Sequence, residues 1–168
     1  MRLNTTLAVA LLVILAGFSG PAFAELVMTE DGWHSWQTDE IGTVTEACCF
    51  TWQRGKRSQT GCNLDGRHMS FSSNGDCDAA VGQVQFYVLM RSGKPTKIRV
   101  LSSECPVETT ASIKNHGVVP AQDNVAWFRQ VIEDKTLDHD VREEALFGLV
   151  QSESSIAFEY LDRLLSRR

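Results

Sequence analysis

The residues of this 168-residue chain that can take part in the widest range of reactions are its five cysteines. They stand at Cys48, Cys49, Cys62, Cys77 and Cys105. In an oxidising compartment cysteines pair as disulfides, and five of them form at most two internal bonds. Three alternatives then remain for the fifth thiol: it is buried and unreactive, it reacts as a nucleophile or redox sensor, or it pairs with another chain.

One disulfide can be derived from the register of a predicted hairpin. Two β-prone segments flank residues 54–57 (RGKR). If Gly55 and Lys56 form a two-residue turn, Cys49 lies opposite Cys62. We therefore predict a cross-strand bond between these two cysteines.

The remaining cysteines allow further pairings and a metal alternative. Cys48 points to the strand face opposite Cys49, where Cys77 or Cys105 lies within reach. A zinc site would instead use Cys49, Cys62, His68 and Cys77. Their spacing lacks the closely spaced cysteine pair typical of zinc sites, so the sequence favours disulfides and predicts no metal.

Other sequence motifs do not predict a cofactor or a catalytic centre. Asn74, Asp76 and Asp78 begin a calcium-loop pattern, which then lacks its glycine and its bidentate glutamate. The sequence has no nucleophile elbow, no phosphate-binding glycine loop and no dinucleotide fingerprint. We therefore predict a protein that is not an enzyme and binds no cofactor. The alternative is a thiol-based redox protein or Cys-dependent enzyme that uses the unpaired cysteine.

Charged residues form two candidate interaction surfaces. One is the basic tip of the predicted hairpin, with Arg54, Lys56 and Arg57. The other is an acidic helical face that consists of Glu133, Asp134, Asp138, Asp140, Glu143 and Glu144. The whole chain has 16 Lys and Arg against 21 Asp and Glu, a net charge of −5, which argues against a nucleic-acid partner. These surfaces predict another protein as the partner.

The first 24 residues have the pattern of an export signal. Arg2 precedes an apolar run over 7–17, and residues 21–24 (PAFA) end in a small-x-small cleavage pattern. The run is shorter than the about 20 residues that a transmembrane helix needs. We predict a signal peptide at 1–24, no transmembrane segment after cleavage, and an exported protein of the bacterial periplasm or the medium.

The elements that must position these residues change from β to helical near residue 120. Residues 25–120 predict a Cys-containing β lobe: a leading segment with Trp33 and Trp36, a small antiparallel meander, and a short strand at 112–113. Residues 121–168 predict three helices, because apolar residues recur there at helical spacing. We expect an α+β fold in which the two lobes share one core.

Part of the helical lobe resembles a known repeat family. Residues 140–149 (DVREEALFGL) and 157–165 (AFEYLDRLL) resemble one hairpin of the HEAT repeat, in which a D-x-V-R-x-x-A-L pattern opens the first helix. The resemblance implies that Val141, Ala145 and Leu149 pack against the second helix. A single hairpin leaves an unstacked face where another protein could bind.

More of the chain resembles a group of exported bacterial proteins that carry this helical unit. Residues 102–107 (SSECPV) match the group's S-x-(D/E)-C-P-V strand end, and residues 124–128 (NVAWF) match its short helix. The group implies a Cys-rich β region before the helices and implies no catalytic role. Together these observations predict a periplasmic protein-interaction module of unknown partner.

Overall fold

The computed structural model describes residues 26–39, 50–53, 56–59, 61–66 and 83–166. Within these ranges eight strands precede three helices, so the fold is α+β. The predicted signal peptide at 1–24 lies outside the described residues. So do the following residues named above: Cys48, Cys49, Arg54, His68, Asn74, Asp76, Cys77 and Asp78.

A mixed four-stranded sheet forms the centre of the fold. The strands are β1 (Gly32–Thr38), β2 (Phe50–Gln53), β3 (Lys56–Gln59), β4 (Cys62–Asn63), β5 (Val84–Arg91), β6 (Lys94–Ser102), β7 (Val107–Glu108) and β8 (Ile113–Val119). The main sheet has the order β6-β5-β1-β8, and β2–β3 and β4–β7 form two-stranded sheets. The main sheet is antiparallel except that β8 runs parallel to β1. It therefore differs from a simple meander at β8, which is also longer than the strand predicted at 112–113.

Three helices follow the sheet. They are α1 (Ala121–Glu133), α2 (His139–Gln151) and α3 (Ser155–Leu165). Their buried residues join one apolar cluster with one face of the main sheet. None of the helices in the described ranges is long and apolar enough to span a membrane.

Strand β1 lies in the middle of the sheet, where the sequence predicted only a leading segment. Trp33 and Trp36 are 1% and 0% exposed. They lie on opposite faces, since side chains an odd number of positions apart on a strand point in opposite directions. Trp36 packs on the helical side, and Trp33 packs with Tyr87 and Leu101 on the other. The prediction of a leading segment is wrong because a strand buried on both faces lacks the polar–apolar alternation of a half-exposed strand.

Trp36 joins the sheet to helix α1. Its ring centroid lies 5.4 Å from that of Phe86 on β5, 5.2 Å from that of Trp127 and 6.1 Å from that of Phe128 on α1. Its Nε1 donates a 2.7 Å hydrogen bond to Oδ1 of Asn124, which is fully buried. Because both the rings and the amide of α1 contact this one indole, the helix is fixed in position and rotation against the sheet.

Asp65 organises the opposite face of the sheet. Its carboxylate accepts hydrogen bonds from Trp33 Nε1 at 2.9 Å, from the Thr110 amide at 2.9 Å and from Thr109 Oγ1 at 3.0 Å. These bonds, that of the Thr110 amide foremost, lower the pKa of Asp65 from 3.8 to about 2. The carboxylate therefore stays ionised and ties the chain around Thr110 to Trp33 at all but very acidic pH.

The hairpin register differs from the predicted one. Gln53 pairs with Lys56, so Lys56 belongs to β3 and not to the turn. Cys62 lies in β4, which pairs with β7 through Val107 and not with β2. The predicted opposition of Cys49 and Cys62 in this hairpin is therefore wrong, because it placed the turn one residue too far along the chain.

The two described cysteines are structural. Cys62 and Cys105 are 0% and 6% exposed, and both are disulfide-bonded. They pack in the apolar cluster of Trp33 and Leu64. Their disulfide state leaves a reactive thiol, if the chain has one, to the cysteines outside the described residues, and the pairing with Cys49 stays a prediction.

Helix α2 packs mainly on α1 and on the edge strand β6, and only lightly on α3. A Cβ atom at Gly148 would lie 2.8 Å from Cε1 of Phe128 and 3.3 Å from Cγ2 of Val100. Val141, Ala145 and Leu149 are buried in the main cluster. The HEAT resemblance implied packing of these residues on α3, whereas the main partners of their helix are α1 and the sheet.

We expect Gly148→Ala to lower the free energy of unfolding by about 1–2 kcal/mol, because the added methyl group overpacks the contact with Phe128 by more than alanine's helix propensity recovers. Urea unfolding of the whole chain measures the change. Val150→Ala, at an exposed position of the same helix, serves as the control, with an expected change below about 0.5 kcal/mol. Equal stability of the two variants would contradict the close approach of α2 to α1.

Candidate protein-interaction site

The three helices line a groove of about 580 Å³. Its apolar lining comes from Ile132 on α1, Leu146 on α2, and Tyr160 and Leu164 on α3. These apolar residues are buried or half-buried. The ionisable lining residues are Glu133, Lys135, His139, Arg142 and Glu143, and all except the half-buried Arg142 are exposed. The groove therefore has apolar walls beneath a charged opening, which is the usual construction of a binding cleft.

The connection between α1 and α2 shapes one end of the groove. Asp134 closes α1, where its amide donates to the Gln130 carbonyl, and its Oδ1 accepts the Thr136 amide at 2.8 Å. The bonds from the Thr136 amide and hydroxyl lower the pKa of Asp134. Arg142 of α2 donates from Nε to the Ile132 carbonyl at 3.0 Å. This bond satisfies a carbonyl at the end of α1, where the helix has no partner of its own, and so fixes α2 at the groove.

Glu133 links α1 to α3 at the groove. Its Oε1 accepts from Arg129 Nε at 3.2 Å and lies 3.4 Å from the Tyr160 hydroxyl, which donates to it. The Arg129 guanidinium carbon lies 5.9 Å from the Tyr160 ring centroid, within the range of a cation–π contact. Since α3 touches the other helices only lightly, these contacts are a notable part of what holds its position.

The predicted acidic face divides into two parts. Glu133 and Glu143 line the groove, and Asp134, Asp138 and Asp140 belong to the adjoining connection and first turn of α2. Two of these five carboxylates therefore belong to the groove lining, and the other three lie in the adjoining segment of the chain. Glu144 does not belong with them, because its side chain contacts the sheet.

Glu144 covers the outer edge of strand β6. It forms an ion pair with Arg99, whose side chain is 8% exposed, and its Oε2 accepts the Ile98 amide at 2.8 Å. An edge strand presents unpaired amides, and this carboxylate satisfies one of them. Glu144 is thus a structural contact between α2 and the sheet. Sequence reasoning placed it on a free surface because Arg99 is 45 positions away in the sequence.

The predicted basic tip remains a prediction. Lys56 and Arg57 lie in strand β3, and Arg54 lies outside the described residues. In the sequence, the apolar residues of the groove show only the helical spacing that is typical of core residues.

One group of the described residues has the composition of a metal site. Ligand atoms of His139, Asp140 and Glu143 lie within 4.8 Å of one another, and all three residues are exposed. His139 Nδ1 and Glu143 Oε1 are 3.5 Å apart and form an ion pair when the histidine is protonated. Exposed acidic groups of this kind are common without an ion, so we assign no metal to them.

We expect Glu144→Ala to lower the free energy of unfolding by about 2–3 kcal/mol, because it leaves the buried Arg99 charge and the Ile98 amide without their partner. Thermal or urea unfolding of the whole chain measures the change. Glu143→Ala removes the neighbouring exposed carboxylate and is the matched control, with an expected change below about 0.5 kcal/mol. A similar small effect for both variants would contradict the structural role of Glu144.

The groove combines three features: apolar walls, a charged opening next to the carboxylate-rich connection between α1 and α2, and the hydrogen bond by which Arg142 fixes that connection. A partner would need a surface complementary to the apolar walls and to the charged opening. Comparisons of this chain with protein-family models, with curated proteins and with solved structures find no match.

Proposed function

We propose that this chain is an exported, non-enzymatic protein-interaction module whose groove between α1, α2 and α3 binds a segment of another protein. The observation that carries this proposal is a cleft with apolar walls whose charged opening adjoins the carboxylate-rich segment 133–143. The 580 Å³ volume falls within the range of about 300–1,000 Å³ that is usual for ligand clefts. A cleft of this size accommodates one or two large side chains of a docked segment.

Charge complementarity defines the chemistry of the partner. Over residues 133–143, which run from the end of α1 into α2, five carboxylates outnumber three basic residues, whereas the groove lining itself has two carboxylates and three basic groups. The carboxylates are Glu133, Asp134, Asp138, Asp140 and Glu143, and the basic groups are Lys135, Arg142 and His139. Nε of Arg142 is already bonded to a backbone carbonyl, which reduces the guanidinium's capacity to bind an anion. The complementary segment therefore has an apolar anchor residue flanked by lysine or arginine.

Some exposed apolar side chains lie on the two helices α2 and α3, outside the groove lining. Phe147 is 48% exposed on α2, and Phe158 and Leu165 are 52% and 66% exposed on α3. Scattered exposed apolar residues are common on any protein, but here several lie on the two helices that line the groove.

The export part of the proposal rests on the sequence. Residues 1–24 have the order of charge, apolar run and small residues that an export signal requires. The disulfide-bonded Cys62 and Cys105 fit an oxidising compartment such as the bacterial periplasm.

Selection of a random peptide library displayed on phage, with the whole exported chain as target, tests the binding proposal. We expect enrichment of peptides with a large apolar residue flanked by lysine or arginine. The double variant Glu133→Lys, Glu143→Lys reverses the charge at the opening and should weaken binding of the selected peptides by at least about tenfold. Binding to the unmodified chain should also weaken when salt is raised, since exposed charges are screened.

The control is Glu153→Lys, Glu159→Lys, which makes the same charge change at exposed positions outside the groove lining. It should leave binding within about twofold, and circular dichroism should show that both variants remain folded. Selection of acidic or uncharged peptides, or equal losses in the two double variants, would overturn the proposal.

A further inference from the structure

Two histidines, one on β1 and one on β8, form a hydrogen-bonded pair. In the sequence they lie far from the residues that line the groove. His34 Nδ1 and His116 Nε2 are 2.8 Å apart. The ring centroids are 5.1 Å apart and the ring planes differ by only 14°. Since the nitrogens lie much closer than the centroids, the rings meet edge to edge in nearly one plane. The contact is therefore a nitrogen-to-nitrogen hydrogen bond.

The surroundings fix which nitrogens carry protons. His34 is 2% exposed, and its Nε2 lies 2.9 Å from the backbone carbonyl of Glu30. A carbonyl only accepts, so His34 Nε2 carries a proton and its Nδ1 accepts in the neutral ring. His116 Nε2 must then donate to His34 Nδ1. The one nitrogen of the pair that remains open to a further proton is His116 Nδ1.

The pair lies where β8 is irregular. The register between β1 and β8 shifts between Ser35 and Gln37, so that His116 and Gly117 together stand opposite one residue of β1. Gly117 has a φ of 71°, and its amide donates to Asn115 Oδ1 at 2.8 Å. This bulge turns His116 toward His34 and interrupts the ladder of backbone hydrogen bonds. The side-chain bond therefore compensates for pairing that the bulge removes.

A few charges surround the pair. Among the described residues, those that act on His116 are His34 on β1, Lys114 on β8 and Glu30 before β1. Lys114 Nζ and Glu30 Oε1 form a 2.7 Å ion pair that is exposed and contributes little on its own. On the other side of β1, strand β5 presents Val88 opposite His34, which carries no charge. Burial, then His34 and Lys114, lower the pKa of His116 below its usual 6.5, and Glu30 opposes this shift.

We propose that the His34–His116 pair is a proton-operated latch that holds strand β8 on the main sheet and releases it in acid. Acid adds a proton at His116 Nδ1, which places a positive charge on a partly buried ring beside Lys114. This charge destabilises the position of β8 on the sheet and releases the strand, and the proposal is independent of the groove.

The sign of the pH dependence follows from the lowered pKa of His116. The unfolded chain binds the proton at about pH 6.5, whereas the folded chain binds it at lower pH. The stability from the neutral pair is thus complete above pH 6.5 and is lost as the pH falls from 6.5 through the lowered pKa. Release of β8 follows below that pKa.

Nuclear magnetic resonance of the whole chain from pH 8 to pH 4 tests the latch. Imidazole nitrogen shifts should show His34 protonated only at Nε2 at pH 8, and His116 should titrate below 6.5. Hydrogen exchange of the β8 amides, corrected for its intrinsic pH dependence, should rise at least tenfold at the acid end, whereas exchange in β5 and β6 should not. Hydrogen exchange in those two strands is the control, because it would rise if the whole protein unfolded.

Variants separate the latch from ordinary acid sensitivity. His116→Asn should remove the acid-dependent rise in β8 exchange, whereas His139→Asn, at an exposed histidine on α2, should leave it unchanged. If His116→Asn does not fold, the nitrogen shifts of the unmodified chain decide the matter. Protonation of His34 at Nδ1 at pH 8, titration of His116 at or above 6.5, or exchange in β8 that rises together with that in β5 would overturn the proposal.

Discussion

The packing of Trp36 against the first helix is the contact on which the rest of the structure depends. Trp36 lies on β1, between β5 and β8, and its ring contacts Trp127 and Phe128 while its Nε1 binds Asn124. An indole buried with its N–H satisfied contributes both area and direction. Helix α1 consequently cannot rotate against the sheet without losing the hydrogen bond. The positions of α2 and of the groove both follow from that of α1.

A short series of contacts extends from this point to the groove. Gly148 allows α2 to approach Phe128 closely, and Glu144 attaches the same helix to the edge of β6. Arg142 then binds the end of α1 through the Ile132 carbonyl. The first two walls of the groove are therefore rigid parts of the core. The third wall, α3, has fewer contacts with the other helices and is the element that can adjust most easily to a docked segment.

The sequence predicted those parts of the fold whose pattern is local. The three helices followed from apolar spacing, and the β5–β6 hairpin followed from its turn, where Ser92 and Gly93 have φ values of 51° and 72°. Strand β1 was missed because both its faces are buried, and β8 was predicted too short because its polar residues and bulge hide its strand character. The hairpin register failed because a turn one residue earlier changes every opposed pair.

The candidate sites depend on contacts between residues far apart in the sequence. The carboxylates at the groove were predicted as an acidic face, since their positions on one helical turn and connection are local information. The apolar walls beneath them, the Glu144–Arg99 ion pair and the His34–His116 bond join segments that only the folded chain brings together. No spacing rule within one segment could have identified them.

The central claim is that the groove binds a basic segment with an apolar anchor. The most direct measurement is a titration of the ¹⁵N-labelled chain with a synthetic peptide that carries one tryptophan between lysine pairs, followed by amide chemical shifts. We expect shift changes concentrated at residues 132–146 and 160–164, and their loss when salt is raised. Changes spread over the β lobe, or no changes at millimolar peptide, would contradict the assignment of the groove as a protein-binding site.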